Sequence, residues 1–497
     1  MSRPLSAALS ASARLSSKNS IYARASAGSA FRSGRVGVID SSGLKLTYTI
    51  RGCSIHGRGE KRGIGRLGDW AITSLLNLPI SQSPNTPISQ SPEVLMERFD
   101  VVVIGAGGMG AAAAYYLARD GRRALLVEQF TVGHSRGSSH GGSRIIRHSY
   151  VEREYATLAP HAFALWRQVQ AESGARLLAD TGGLDFAPPD YPTLLGRLET
   201  LGALGLPYRL YAQDELRHDF PQFRLPAGWL ALYQTDAGVL SATRCVETLA
   251  GQAVRRGATV WENSRVLSVQ PDGAGVRMEI DGHAGRQIVL ADQAVLTAGP
   301  WAGRFLDELG ITAAYAAPLR VTHQQLVYME VAQAARPLFA ADRCPVYIGL
   351  PMPYFYGFPI WERPGQLKVG REMDGPAIDP DGERSVDADA VAEVEAWVAE
   401  TLVGVIPKAV SVEKCLYTLS PDGHFLIDRH PQHPQVLIAA GFSGRGFKFV
   451  VTTGRLLADL AASAPGDYSS PLWRETFRLD RFVSGKKLSP SVDTANL

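Results

Sequence analysis

An unbroken apolar block, Val101-Val102-Val103-Ile104, stands between the polar start Glu97-Arg98 and a run of glycines. Four β-branched residues in succession suit a strand buried on both faces. Residues 108–120 follow as a predicted helix, and "RALLVEQ", ending in an acid, predicts a second strand, so the block opens a strand, helix, strand unit. "FDVVVIGAGGMGAAAAYYLA", residues 99–118, has the length of a membrane span. Its glycines divide it into strand, turn and helix, and no span is predicted.

Further along, apolar positions recur at helical spacing over 152–172 and 241–257. A strand over 258–270, a hairpin-like stretch to Val289 and an apolar strand over 293–302, broken at Ala-Gly-Pro, come next. Residues 316–372 alternate as strands do, 387–402 predict an acidic amphipathic helix, and "QVLIAAGFSGRGFKFVVTTGRLLADLAAS" closes the chain as strand, glycine loop and helix. Residues 1–95 sustain no such periodicity. They are rich in Ser, Arg and Gly, repeat "PISQSP" at 79–84 and 87–92, and are expected to be disordered. Their composition resembles an organelle transit peptide and their repeat resembles translated non-coding sequence ahead of a start at Met96, the second being favoured. The fold is expected to begin near Met96.

At 497 residues, 45% hydrophobic and 20% charged, the chain can bury a large core in two or three domains. Its net charge of +3 is unevenly spread: residues 1–95 hold 12 Lys+Arg against 4 Asp+Glu, leaving 39 against 44 in the remainder. The body is therefore slightly acidic, without a basic stripe interleaved with aromatics, which argues against nucleic-acid binding. Cys53, Cys245, Cys344 and Cys415 stand far apart with no C-x-x-C pair, so neither a disulfide framework nor a metal site is suggested. A reducing, cytoplasmic setting is expected, organellar targeting by 1–95 remaining open.

Gly105-x-Gly107-x-x-Gly110 follows the first strand and opens the helix, and Glu128 ends the next strand. Glycines let the backbone approach a pyrophosphate held at a helix N-terminus, while the acid binds ribose hydroxyls. The pattern predicts dinucleotide binding, through Gly105, Ala106, Gly107, Gly108, Met109, Gly110 and Glu128, without separating NAD from FAD; the acid repels a 2′-phosphate and disfavours NADP.

From Met96 to about Phe482 the chain resembles the monomeric sarcosine oxidase family, which includes N-methyl-L-tryptophan oxidase and pipecolate oxidase. The resemblance rests on "VVVIGAGGMGAAAAYYLARDG", "GSSHGGSRIIRHSY", "FYGFP", "LKVG", "CLYTLSPDGHFLID" and "AAGFSGRGFKF", all in the family's order. It implies an α/β fold (two-domain α+β) like that of D-amino-acid oxidase: a Rossmann-like FAD-binding domain with an inserted antiparallel-sheet substrate domain. The expected FAD-binding segments are 97–180, 241–315 and 405–482, the substrate domain 181–240 and 316–404, and the tail 483–497.

The same resemblance implies FAD bonded through Cys415 sulfur to the flavin 8α-methyl. Arg147 and Lys448 match the pair holding the substrate carboxylate, and Arg144 a positive group near the flavin. His140 matches a flavin contact, Lys368 the lysine that activates oxygen, and Tyr356 a tyrosine lining the substrate cavity. Val266, Ala298, Gly299 and the closing-loop residues Gly444, Gly446 and Phe447 are further expected cofactor contacts. A fixed cation beside the ring stabilises the anion formed as oxygen takes its first electron, and loop amides stabilise the reduced flavin.

Several positions depart from the family pattern, and "SHGGSR" at 139–144 stands where the family commonly has "HHGDTR". Arg371 and Glu372 stand where an aromatic and a histidine are common, and Arg445 stands where the closing loop commonly has histidine. The Glu372 carboxylate could pair with a cationic substrate group or neutralise Arg371 or Arg445. The expected function is FAD-dependent oxidation of a secondary-amine amino acid, N-methyl or cyclic, to the imine, with O2 reduced to H2O2. The rivals are an amino-acid dehydrogenase using another acceptor and a non-catalytic dinucleotide-binding protein. The expected partners are a small amino-acid substrate and O2, with no nucleic acid or membrane, and the protein is expected to be a monomer.

Overall fold

The computed structural model describes residues 14–15, 21–22, 33–39, 45–51, 97–315, 317–372, 375–462 and 471–483, in two compact units divided near Ser89. In the first unit Ser33–Ile39 pairs antiparallel with Lys45–Arg51, and Arg14–Leu15 with Ile21–Tyr22. These four short strands lie within residues 1–95, for which the sequence led to an expectation of disorder. The rest of that expectation, and the tail beyond 483, lies outside the described residues.

The second unit is built on two large sheets. The parallel layer of the first runs Thr259–Trp261, Ala124–Val127, Glu97–Ile104, Gly285–Leu296 and Val436–Ala440. Leu426–Arg429 adds an antiparallel strand at one edge, and Arg265–Asp272 with Gly275–Gly282 forms a meander leading into Gly285–Leu296. The Val101–Ile104 block lies between two parallel neighbours, which accounts for its lack of alternation. Helices Gly108–Arg119, Arg153–Ser173, Ala242–Arg255 and Val450–Ala462 pack on one face, where a Cβ on Gly454 would sit 2.5 Å from that of Ala112. That close crossing brings the last helix, and the loop before it, onto the first helix. The meander and the helix Ala302–Glu308 cover the opposite face.

The second sheet has eight strands, ordered Arg209–Ala212, Leu230–Gln234, Gly183–Ala187, Val346–Gly349, Tyr354–Gly357, Gln366–Glu372, Arg320–Val331 and Val405–Leu419. It was expected to be antiparallel; Val346–Gly349 pairs parallel with Gly183–Ala187 while the other pairings are antiparallel. Val405–Leu419, expected in the cofactor domain, pairs along Arg320–Val331 and so belongs to this sheet at least as far as Cys415 and Leu419. The acidic helix, Ala388–Thr401, packs Val394 and Val398 on the face that also buries Phe186, Tyr347 and Phe355. Fully burying each such side chain is worth about 1.5–3 kcal/mol. The other face of the sheet is thereby left to the site.

Candidate active site

One long cavity runs from the first glycine loop to the closing loop, and it is lined by Gly105, Ala106, Glu128, Lys368, Cys415 and Lys448 among others. At its first end the backbone turns at Gly105, φ +96°, a conformation that a side chain rarely adopts. A Cβ on Gly110 would lie 1.8 Å from the Gly105 carbonyl oxygen, so helix and loop close on each other only with glycine at both places. Gly107 has no side chain to cap the helix, and Ser139 Oγ accepts from Gly108 N at 3.0 Å. Buried Glu128 accepts from Ala106 N at 2.8 Å and Phe130 N at 2.9 Å, which fixes its carboxylate at the edge of the loop.

The Ser/Gly-rich loop that follows is tied together by Arg144. Its guanidinium donates to the carbonyls of Ser143 (2.8 Å), Ser138 (2.9 Å) and His140 (2.8 Å). A loop rich in glycine has few side chains to satisfy its own carbonyls, and one forked donor satisfies three. The same residue lines the cavity, 5.6 Å from the Phe447 ring.

Strand alternation sorts the side chains of the second sheet. Lys368, Gly370 and Glu372 share one face, as do Cys415 and Tyr417 on the neighbouring edge and Tyr354 and Tyr356 across the hairpin. Gly370 leaves room for Tyr356, whose ring would stand 2.3 Å from a Cβ there. Lys368, 3% exposed, pairs with the Glu362 carboxylate and donates to Ser143 O at 3.1 Å. Burial lowers its pKa to about 8, against the opposing pull of Glu362, and Arg144 lowers it further. For Glu362 the balance is reversed: burial raises its pKa, but the charge of Lys368 and donors from Lys368, Ser143 and Tyr328 hold it at about 2. Burial pushes the Cys415 thiol up, while Arg144 and Lys368 favour its thiolate.

At the other end of the cavity a buried network joins two arginines. Arg147 Nη1 donates to Ser149 Oγ (3.0 Å), Ser149 Oγ to Asp185 Oδ2 (2.5 Å), and Arg197 Nη1 lies 2.9 Å from Asp185 Oδ2. Arg147 also stacks 4.3 Å above the Tyr150 ring. Lys448 Nζ lies 5.5 Å from the same ring and donates to Arg445 O at 3.3 Å. Gly444, φ +75°, carries the closing loop past Tyr417 and Glu372, each within 3.0 Å of where its Cβ would be.

Arg371 turns away from this face and pairs with Glu393 at 2.7 Å, while Arg445 pairs with Glu152 at 3.2 Å and lies over Tyr155. Glu372 lines the cavity.

Of the residues expected from the sequence, Arg144, Arg147, Val266, Ala298, Gly299, Tyr356, Lys368, Cys415, Gly444, Gly446, Phe447 and Lys448 line this cavity together with the first glycine loop. Gly110 instead packs beneath that loop, and His140 lies outside the cavity wall. His140 lines a second, more open cavity with Glu413, Lys414 and Arg384, its Nε2 3.0 Å from Lys414 O. The sequence signalled neither Glu362, Asp185 nor Arg197, each an ordinary charge without a motif.

A dinucleotide fits this arrangement. The glycine cradle admits no Cβ at Gly110, the helix N-terminus and Glu128 face one end, and the opposite end supplies a buried thiol and two buried cations. Gly105 to Met109 and Glu128 would hold the nucleotide half of FAD, and Arg144, Lys368, Cys415 and the closing loop the flavin half.

The profile of the DAO family, FAD dependent oxidoreductase, matches residues 100–460. The chain is 33% identical to human peroxisomal sarcosine oxidase over 78% of its own length and 97% of that protein. It is 30% identical to N-methyl-L-tryptophan oxidase of Yersinia pestis, over 77% of its length and 99% of that protein. Among solved structures it is similar to NikD, an unusual amino acid oxidase essential for nikkomycin biosynthesis, at 25% identity and a TM-score of 0.66, covering 76% of this chain and 97% of that one.

Proposed function

Because the chain belongs to the DAO family of FAD dependent oxidoreductases, we propose that it oxidises the secondary amine of an N-methyl or cyclic amino acid to the imine, O2 leaving as H2O2. It is an FAD-dependent enzyme acting on CH–NH donors. Bound FAD supplies the hydride acceptor and passes the electrons onward. The observation that carries the substrate reading is the pairing of buried Arg147 and Lys448 in one cavity with Lys368 and Cys415. Two cations at one end suit a carboxylate, and a guanidinium fork plus an ammonium fix its orientation. Tyr354, Tyr356 and Tyr417 wall the same space.

Cys415 is the proposed covalent anchor: its sulfur would bond the flavin 8α carbon as a thioether, burial pushing the thiol pKa up while the charges of Arg144 and Lys368 pull it the other way. Lys368 supplies a buried positive charge for oxygen chemistry. The test is a screen of N-methyl and cyclic amino acids, each beside the amine lacking its carboxylate, with peroxide and anaerobic bleaching both measured. Peroxide from the amino acids and little from the plain amines supports the reading. Bleaching without peroxide under air indicates another electron acceptor, and no bleaching by any secondary amine refutes the substrate class.

A further inference from the structure

A line of hydrogen-bonding groups leads away from Lys368 through the second sheet. Glu362 takes Lys368 Nζ and Ser143 Oγ on Oε1 and Tyr328 OH on Oε2, the last at 2.7 Å. The same Tyr328 hydroxyl lies 3.0 Å from Glu413 Oε2, and Glu413 Oε1 pairs with Arg363 at 2.5 Å. Tyr328 is 1% exposed, whereas the Glu413 side chain is 33% exposed and lines the second cavity with His140, Lys414 and Arg384. The line thus starts at a buried ammonium and ends at solvent.

One hydroxyl between two carboxyl groups cannot donate to both. With both groups ionised one contact is unsatisfied, and a proton on either side satisfies both, Tyr328 donating to one group and accepting from the other. We infer that Glu413, Tyr328 and Glu362 form a proton relay that resupplies Lys368 from the second cavity. The inference rests on the oxygen reading above. Oxidation of CH–NH to C=N releases two electrons and two protons, and reduction of O2 to H2O2 takes up two of each. Lys368 hands a proton to the reduced oxygen and becomes a neutral amine; a proton entering at Glu413 passes through Tyr328 to Glu362. Rotation of that carboxyl group presents the proton to Lys368 Nζ. The spacing matches the roles: Glu413, Tyr328, Glu362 and Lys368 are joined end to end, with no step longer than 3.0 Å.

Tyr328→Phe removes one oxygen from the line and keeps the ring that Arg363 covers at 3.6 Å; Glu413→Gln removes the entry carboxylate. Two measurements on the flavin-loaded protein test the relay. The first is reoxidation of substrate-reduced protein by O2 in H2O and D2O. The second is exchange of the Lys368 ammonium protons with water, read by 15N NMR of the oxidised protein. In both variants reoxidation should slow tenfold or more with a raised solvent isotope effect, ammonium exchange should slow as much, and anaerobic bleaching by substrate should persist. Wild-type exchange and reoxidation rates in both variants overturn the relay, and so does an equal loss in bleaching and reoxidation, which marks Tyr328 as sheet packing. If wild-type reduced protein is inert to O2, the oxygen reading fails, while the exchange measurement still decides whether protons reach Lys368 by this line.

Discussion

Replacing Glu362 by Gln should move the acid-base chemistry of the site in a calculable direction. The carboxylate opposes the burial of Lys368, whose pKa stands at about 8 with the carboxylate in place. Two unit charges roughly 3 Å apart interact by about 5 kcal/mol at an effective dielectric of about 20. The amide of Gln keeps an acceptor but no charge, so the loss is roughly 2–4 pKa units at 1.36 kcal/mol each. An ammonium exists below its pKa, so lowering that value removes the charge from neutral pH. At pH 7.5 most wild-type Lys368 is protonated, and in the variant the protonated fraction should fall on the order of a hundredfold. The charges facing Lys368 are Glu362, Arg144 and Glu413, and the last two are unchanged by the substitution. A reduced, negatively charged flavin raises the value in both proteins alike. The assay is reoxidation of reduced protein by O2 in a stopped-flow instrument from pH 5 to 10. The wild-type rate should be flat at acid pH and fall as pH rises through the lysine pKa, and in Glu362→Gln the fall should move to acid pH by about the same 2–4 units. An inflection that stays in place, or equal rates at pH 7.5, would refute the assignment of Glu362 as the group that keeps Lys368 charged.

Wild-type protein precipitated with acid should stay yellow, because a thioether survives unfolding, and Cys415→Ala should release its colour to the supernatant; a colourless wild-type precipitate means noncovalent FAD. Arg147→Met should cost about 2–4 kcal/mol in kcat/KM for amino acids, since it leaves the carboxylate short of one charge-assisted partner, with Lys448 remaining. Amines without a carboxylate should lose much less, and equal losses on both would assign Arg147 to the support of its loop. Gly110→Ala places a Cβ 1.8 Å from the Gly105 carbonyl, so the purified variant should carry far less flavin and melt several degrees lower. Normal flavin content in that variant would mean that the loop relaxes freely.

What could be read without coordinates was local. The strand, glycine loop and helix over 97–119 announce themselves through neighbouring residues, and Glu128 follows at the end of the next strand. Val405–Leu419 was harder to place because its partner, Arg320–Val331, lies some eighty residues earlier, and nothing within the strand itself encodes that pairing. The same limit hid Glu362 and Asp185. Each is an acid in an unremarkable stretch, and only pairing across strands and loops brings it to Lys368 or to Arg197. His140 shows the same limit: its motif pointed to the cofactor, and its ring stands at the second cavity, 3.0 Å from the Lys414 carbonyl, a partner no local pattern indicates.

The departures from the family pattern show how alternation along one strand settles what composition leaves open. Arg371 and Glu372 are adjacent, so they must point to opposite faces of the sheet. Arg371 faces the helix Ala388–Thr401 and is met by Glu393; Arg445 is met by Glu152. Two of the three unusual charges are therefore paired with acids other than Glu372, and Glu372 stands on the same face as Lys368, beside Tyr417 and against Gly444. A carboxylate there sets a negative charge in the cavity that also holds Arg147 and Lys448.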